Sequence, residues 1–157
     1  MKTLEITGLD KGKTEKTLAA FQQLLADYQV FYTNIRGYHW NIKGSSFFTL
    51  HAKFEDMYND AAERVDEVAE RILMLGGTPE HNFSKYLKVS HIKESGLVNT
   101  AADCAKGILD AFKHLLAEER KIKELASAAE DDASEAMMDD FIGYQEKMVW
   151  MLTAYLA

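Results

Sequence analysis

Four long stretches of this chain carry apolar side chains at alternating steps of three and four, and that spacing limits the possible folds more than any other feature. Steps of three and four line up on one face of a helix, whereas a half-buried strand alternates in steps of two. No convincing period-two run competes. The first stripe occupies about 14–40 and passes through Leu18, Phe21, Leu25, Tyr28, Tyr32 and Ile35, and His39 continues it on the inward face. The second, about 47–75, is carried by Leu50, Phe54, Met57, Ala61, Val65, Val68, Ile72 and Leu75. A third, about 99–127, turns Ala101, Ala105, Ile108, Phe112, Leu115, Ile122 and Leu125 inward. The last starts near 134 and carries Met137, Phe141, Tyr144, Met148, Met151 or Leu152, and Tyr155. The methionines at these spacings read as core packing.

The breaks between stripes fix how the helices connect. Gly44-Ser45-Ser46 separates the first two, with Ser45 or Ser46 available as a helix cap. Gly76-Gly77-Thr78-Pro79 stops the second with a glycine signal and a helix breaker. The segment 78–97 is too long for a tight turn and has room for a short helix over 83–89. So long a connection lets the third helix run parallel to the second. The expectation is an all-α fold: a four-helix bundle with one long crossover carrying a short helix, in a single domain over 1–157.

Charge and cysteine usage narrow the function classes. The net charge of -7, from 25 acidic against 18 basic residues, gives a surface that repels nucleic acid unless cations are concentrated somewhere. Lys11, Lys13 and Lys16 form a weak cluster, diluted by Asp10 and Glu15, and read as a solvated helix start. DNA binding is therefore not expected. Cys104 is the sole cysteine, so no intrachain disulfide forms, and its Ala-rich apolar setting reads as a small buried hydrophobe in a reducing compartment. The first ten residues lack the apolar run of a signal peptide, and no stretch reaches membrane-spanning length. The expectation is a cytoplasmic protein without a membrane partner.

The densest set of potential metal ligands lies between His39 and Glu70: His39, His51, Glu55, Asp66 and Glu70, with Trp40 beside the first. With His51 as angular origin on the second helix, Glu55 falls at about 40°, Asp66 at about 60° and Glu70 at about 100°. They form one stripe flanking the apolar face, and Lys53, Asp60, Arg64 and Arg71 are assigned to the outer face. Along the axis, however, His51 and Asp66 stand roughly 22 Å apart at 1.5 Å per residue. Metal–ligand bonds of about 2.0–2.6 Å cannot span that within one chain. An antiparallel partner helix from a second copy can. A two-fold axis between the clusters sets His51 and Glu55 of one chain against Asp66 and Glu70 of the other, with His39 joining the histidine half. Mixed imidazole and carboxylate ligands suit Fe(II), Mn(II) or Zn(II). Such residues are more often just the solvated border of an apolar stripe plus a satisfied core histidine, and spacing alone leaves both readings open.

The residues also carry a family likeness. His39-Trp40, the break at Gly44, Phe47-Phe48, His51, and Asp66-Glu67-Val68-Ala69-Glu70-Arg71 resemble the Dps family of ferritin-like proteins, as does the terminal Trp150-Met151-Leu152-Thr153-Ala154-Tyr155-Leu156. The likeness covers nearly the whole chain. It implies a ferritin-like bundle assembled into a hollow dodecameric shell that oxidises Fe(II), preferentially with hydrogen peroxide, and stores ferric mineral, protecting against oxidative stress. It implies ferroxidase sites, with a two-metal option, at two-fold dimer interfaces: His39 and His51 from one chain, Asp66 and Glu70 from the other, and Glu55 for a second, weaker iron. That division is the one the axial separation requires. Trp40 matches an aromatic near the site, read either as an electron-transfer or radical-quenching group or as packing. Asp131, Asp132 and Glu135 fall where family members line a pore through which iron enters. Ala136 stands where another acid is expected, and a carboxylate cluster at a helix start also has a plain macrodipole explanation.

Two other classes compete. A DNA-compacting structural Dps with little ferroxidase activity would need a lysine-rich tail, which this chain lacks. An intrachain di-iron bundle needs Glu-x-x-His pairs on two helices, and none occurs. His114 and Glu118 read as a surface helix pair, and His81 and His91 as exposed residues of the connection.

Overall fold

The computed structural model describes residues 2–157. The elements are α1 (Thr3–Thr7), α2 (Lys11–Asn41), α3 (Phe47–Met74), α4 (Phe83–Val89), α5 (Ala101–Ala128) and α6 (Asp132–Leu156), and no strand occurs among the described residues. The four long helices form the bundle, and α4 rides on the connection between α3 and α5.

Contacts at the two ends fix the topology. At one end the amide of Lys43, just past α2, donates to the carbonyl of Asn99 before α5 at 3.0 Å. There too the Tyr155 hydroxyl at the end of α6 meets Ser46 Oγ at the start of α3, 3.4 Å away. At the other end Lys13 pairs with Glu130 at 2.6 Å, and Arg71 meets Asp131. The pairs α2/α3 and α5/α6 are therefore antiparallel, while α3 and α5 start at the same end and run parallel. The crossover makes that possible.

Most of the α4 connection is irregular, so its backbone polar groups need partners outside a helix. Polar side chains on the outer face of α2 supply them. Gln22 Nε2 donates to the Thr78 carbonyl at 2.7 Å and Gln23 Nε2 to that of Val89 at 3.0 Å. Asn34 Nδ2 donates to the Lys93 carbonyl at 2.8 Å, and its Oδ1 accepts from the Ser95 amide at 3.0 Å. Fully buried Asp27 accepts from Ser90 Oγ at 2.9 Å and the His91 amide at 2.6 Å. His81 and His91 are exposed, with His91 Nδ1 3.5 Å from Asp27.

Phe21, Leu25, Phe54, Ile72, Ile108, Phe112, Leu115 and Phe141 lie at the centre of the core, all at most 1% exposed, as the three-and-four spacing requires. Cys104 is buried in the same core, which pushes its thiol up to about 11. Two glycines mark close approaches. A Cβ at Gly77, after α3, would sit 2.6 Å from Leu18 Cδ1, and one at Gly107 would sit 2.5 Å from the Tyr38 hydroxyl.

Several expectations need correction. Arg64 and Arg71 do not occupy an outer face: they are largely buried against α6. Arg64 lies 4.2 Å over the Phe141 ring and pairs with Asp60 at 3.2 Å, while Arg71 Nε donates to Ser134 Oγ at 2.8 Å. Their long apolar stems let the helix border pack while the guanidinium finds partners. Ser46 stands at the α3 N-cap position without a side-chain cap bond. In α6, Met138 and Leu152 take the core positions, and Met151 and Tyr155 are exposed.

Candidate metal centre

The site begins where α2 runs out. The Lys43 amide, which would have bonded the His39 carbonyl in another turn of helix, goes to Asn99 instead. That carbonyl is taken by the His51 imidazole, Nδ1 to O 2.8 Å. In return His39 Nδ1 lies 2.7 Å from the His51 carbonyl. A carbonyl oxygen can only accept, so both Nδ1 atoms carry hydrogen and donate. In the neutral imidazoles, each Nε2 is then left with its lone pair, the arrangement of a metal ligand oriented by the bond its other nitrogen makes. The rings stack with centroids 3.8 Å apart and planes 20° apart. Phe47 stacks on the far side of His51 at 5.0 Å, and Tyr58 sets its ring against His39 at 5.2 Å and 77°. His39 is 8% exposed.

The carboxylates lie elsewhere on the same helix. Glu55 follows His51 by one turn of α3 and is exposed; Asp66 and Glu70, one turn apart farther along, are exposed too. Glu70 borders a cleft of about 360 Å³ between α3 and α6, shared with Glu67, Asp140 and Arg71. Among the described residues, no three His, Cys, Asp or Glu side chains of one chain converge as a metal-binding group. One chain thus joins His39 to His51 and holds Asp66 and Glu70 far from them on a surface facing outward.

The remaining candidates separate. Trp40, next to His39 in sequence, is 65% exposed, and the Arg36 guanidinium lies 4.8 Å over its ring. Asp132 is exposed and Glu135 half-buried in the first turn of α6, but Asp131 is 1% exposed. Asp131 caps α6 by accepting from the Ser134 amide at 3.1 Å and holds the Arg71 guanidinium. Its carboxylate is committed inside the chain, which does not fit the pore-lining role expected of it.

Sequence reasoning missed three features. Tyr58 stands seven residues after His51 and Tyr32 seven before His39, so each shares its histidine's helix face; their rings meet at 6.1 Å. That spacing was the available signal. The third is a polar knot at the bundle centre, where the Tyr28 hydroxyl donates to Glu119 Oε1 at 2.8 Å and Gln145 Nε2 to the Tyr28 oxygen at 2.8 Å. Burial pushes the Glu119 carboxyl up to about 7, against the pull of these bonds and of Arg64 and Arg120. Among the described residues, Glu119 Oε2 and Gln145 Oε1 have no hydrogen-bond partner.

Comparison with known proteins bears on the fold and the family. Residues 18–157 match the family model of the ferritin-like domain. The chain is 48% identical over 154 residues to the DNA protection during starvation protein of Porphyromonas gingivalis, covering 98% of this chain and 97% of that one. It superposes with a TM-score of 0.93 on the crystal structure of a Dps protein from Vibrio cholerae O1, described as a member of a broad superfamily of ferritin-like diiron-carboxylate proteins. Identity there is 49%, over 95% of this chain and 94% of the other. A Dps protein from Bacillus brevis superposes with a TM-score of 0.90 at 32% identity, over 95% of this chain and 100% of that one. With its crossover bundle and its paired histidines, the chain belongs to the Dps family of ferritin-like proteins.

Proposed function

We propose that the protein oxidises Fe(II), preferentially with hydrogen peroxide, at sites shared between two chains, and stores the ferric product inside a dodecameric shell. The observation that carries this is the reciprocal His39–His51 pair. It leaves two lone pairs side by side, separated from Asp66 and Glu70 along α3 by a distance that only a second copy can bridge. His39 and His51 of one chain and Asp66 and Glu70 of another then hold iron, with Glu55 available to a second, more weakly held ion.

Iron is the substrate here, and the chain's residues bind and position it. The Nδ1 bonds fix ring orientation before iron arrives, so little ordering remains to be done on binding. Carboxylates offset the ion's charge and leave coordination positions open to peroxide. Two irons together supply both electrons: 2 Fe(II) + H2O2 + 2 H+ → 2 Fe(III) + 2 H2O, with no radical released. Asp132 and Glu135, repeated around a three-fold axis, draw Fe(II) toward a pore by their field. The name of the P. gingivalis relative refers to DNA protection. Removing Fe(II) and peroxide protects DNA without touching it, which suits a net charge of -7.

The test is anaerobic Fe(II) loading followed by near-ultraviolet absorbance on adding peroxide, compared with air, for native protein and the His39→Ala/His51→Ala variant. Fast peroxide-dependent oxidation lost in the variant is expected. Equal traces would reduce the histidines to packing and bring a purely structural role forward.

A further inference from the structure

We infer that Glu119 is carried as the neutral acid and donates from Oε2 to Gln145 Oε1. This closes an acid–amide ring that locks α6 to α2 and α5 and opens when the proton leaves. Tyr28 on α2, Glu119 on α5 and Gln145 on α6 meet at the bundle centre, each at most 2% exposed. The knot they form has too few hydrogens for its oxygens. The Tyr28 hydroxyl donates its hydrogen to Glu119 Oε1 at 2.8 Å. Gln145 Nε2 gives one to the Tyr28 oxygen at 2.8 Å and the other to Glu119 Oε1. Nothing remains for Glu119 Oε2 or Gln145 Oε1, and both atoms are buried without a donor among the described residues. With Glu119 ionised, both would be acceptors shut away from water, one of them charged. A single proton on Glu119 Oε2 serves both oxygens. The acid O–H meets the amide oxygen, and the amide N–H already meets the acid's other oxygen.

The charged groups around the knot are committed to other partners. From α3, the Arg64 guanidinium pairs with Asp60 at 3.2 Å and lies 4.2 Å over the Phe141 ring. From α5, Arg120 pairs with Glu146 of α6 at 2.7 Å on the surface. Both cations favour an ionised Glu119 from a distance, but burial outweighs them and raises its carboxyl to about 7. The phenols stay neutral: burial holds Tyr28 well above its usual 10 and pushes Tyr144 on α6, beside Arg64, up to about 12. Glu119 is therefore the group of this cluster that exchanges a proton near neutrality. The bundle centre, where α2, α5 and α6 meet, is tied together on the acid side and loosened on the alkaline side.

Difference infrared spectroscopy of the full-length protein, native against Glu119→Gln, tests the inference. The carbonyl band of a protonated carboxyl is expected in the native protein on the acid side of about 7, fading as pH rises through that value, and absent from Glu119→Gln. Gln145→Met fills similar space without an acceptor. It should keep the band and move it to the higher frequency of an acid that has lost this hydrogen bond. Amide exchange reads the lock itself and needs only Glu119→Gln, whose side-chain N–H takes the place of the acid O–H. Protection of the α6 amides around Gln145, corrected for intrinsic rates, should fall by up to about tenfold per pH unit as pH rises toward 7 in the native protein. In Glu119→Gln it should stay level. Absence of the acid band below 7 would overturn the inference. So would a band of unchanged frequency in Gln145→Met, which would put the proton on a bond to buried water, or an equally steep fall of protection in Glu119→Gln.

Discussion

His39 and His51 each donate from Nδ1 to the other's backbone carbonyl, at 2.7 and 2.8 Å, across the junction of α2 and α3. The pair is structural before it is chemical, because the His39 carbonyl has lost its in-helix donor to the turn. Replacing His51 with Ala leaves that carbonyl without the imidazole and removes a stacked ring. The expected cost is about 1–3 kcal/mol, read as a lower denaturant midpoint together with faster amide exchange at the end of α2. An unchanged midpoint would show that water serves the carbonyl as well as the imidazole does.

Asp131 and Asp132 are neighbours with different duties. Asp131→Ala strips a largely buried guanidinium of its carboxylate and uncaps α6, at a cost of about 3–5 kcal/mol. Asp132→Asn should leave stability within about 0.5 kcal/mol and slow iron uptake into the assembled protein. Stopped-flow uptake and thermal melts on both variants check the division; slowed uptake in neither would remove the pore assignment.

Glu119 gives stability a definite pH slope. Its carboxyl is raised from an ordinary 4.5 to about 7, so the folded state holds a proton that the unfolded chain has released in between. The stabilising contribution is complete below about 4.5 and is lost as pH rises through about 7, a change of roughly 3 kcal/mol. Glu119→Gln should flatten that slope and be the more stable protein on the alkaline side. Denaturant titrations at acid and alkaline pH, at one protein concentration, decide it.

Gly107 has no room for a side chain, since its Cβ would fall 2.5 Å from the Tyr38 hydroxyl. Gly107→Ala should destabilise by about 1–3 kcal/mol. Tyr38→Phe, which removes the obstructing oxygen, should rescue most of that loss in a double-mutant cycle; independent effects would mean the strain is relieved elsewhere.

Periodicity and punctuation made the fold readable. The short helix expected over 83–89 occurs as Phe83–Val89, because Gly76-Gly77-Thr78-Pro79 marks the stop before it so strongly. The parallel run of α3 and α5 was legible from the length of that connection. What stayed hidden depends on side chains meeting across helices. Arg64 and Arg71 look like a solvated border until Phe141, Ser134 and Asp131 are seen opposite them. Tyr28, Glu119 and Gln145 sit on three helices and share no local pattern. At the site, one-dimensional spacing located His39 and His51 and the axial gap to Asp66, but not the mutual Nδ1 bonds, which need both helix ends in place.

Mixed assemblies test most directly the proposed division of each iron site between two chains. His39→Ala/His51→Ala and Asp66→Ala/Glu70→Ala proteins should each be inactive when assembled alone. Unfolded together and reassembled, they should regain peroxide-dependent oxidation at about one site in four, because a mixed dimer holds one fully intact site and one fully stripped site. Silence of the mixture, with mixed dimers verified by mass, would contradict the shared site and place the histidines and the carboxylates in separate roles.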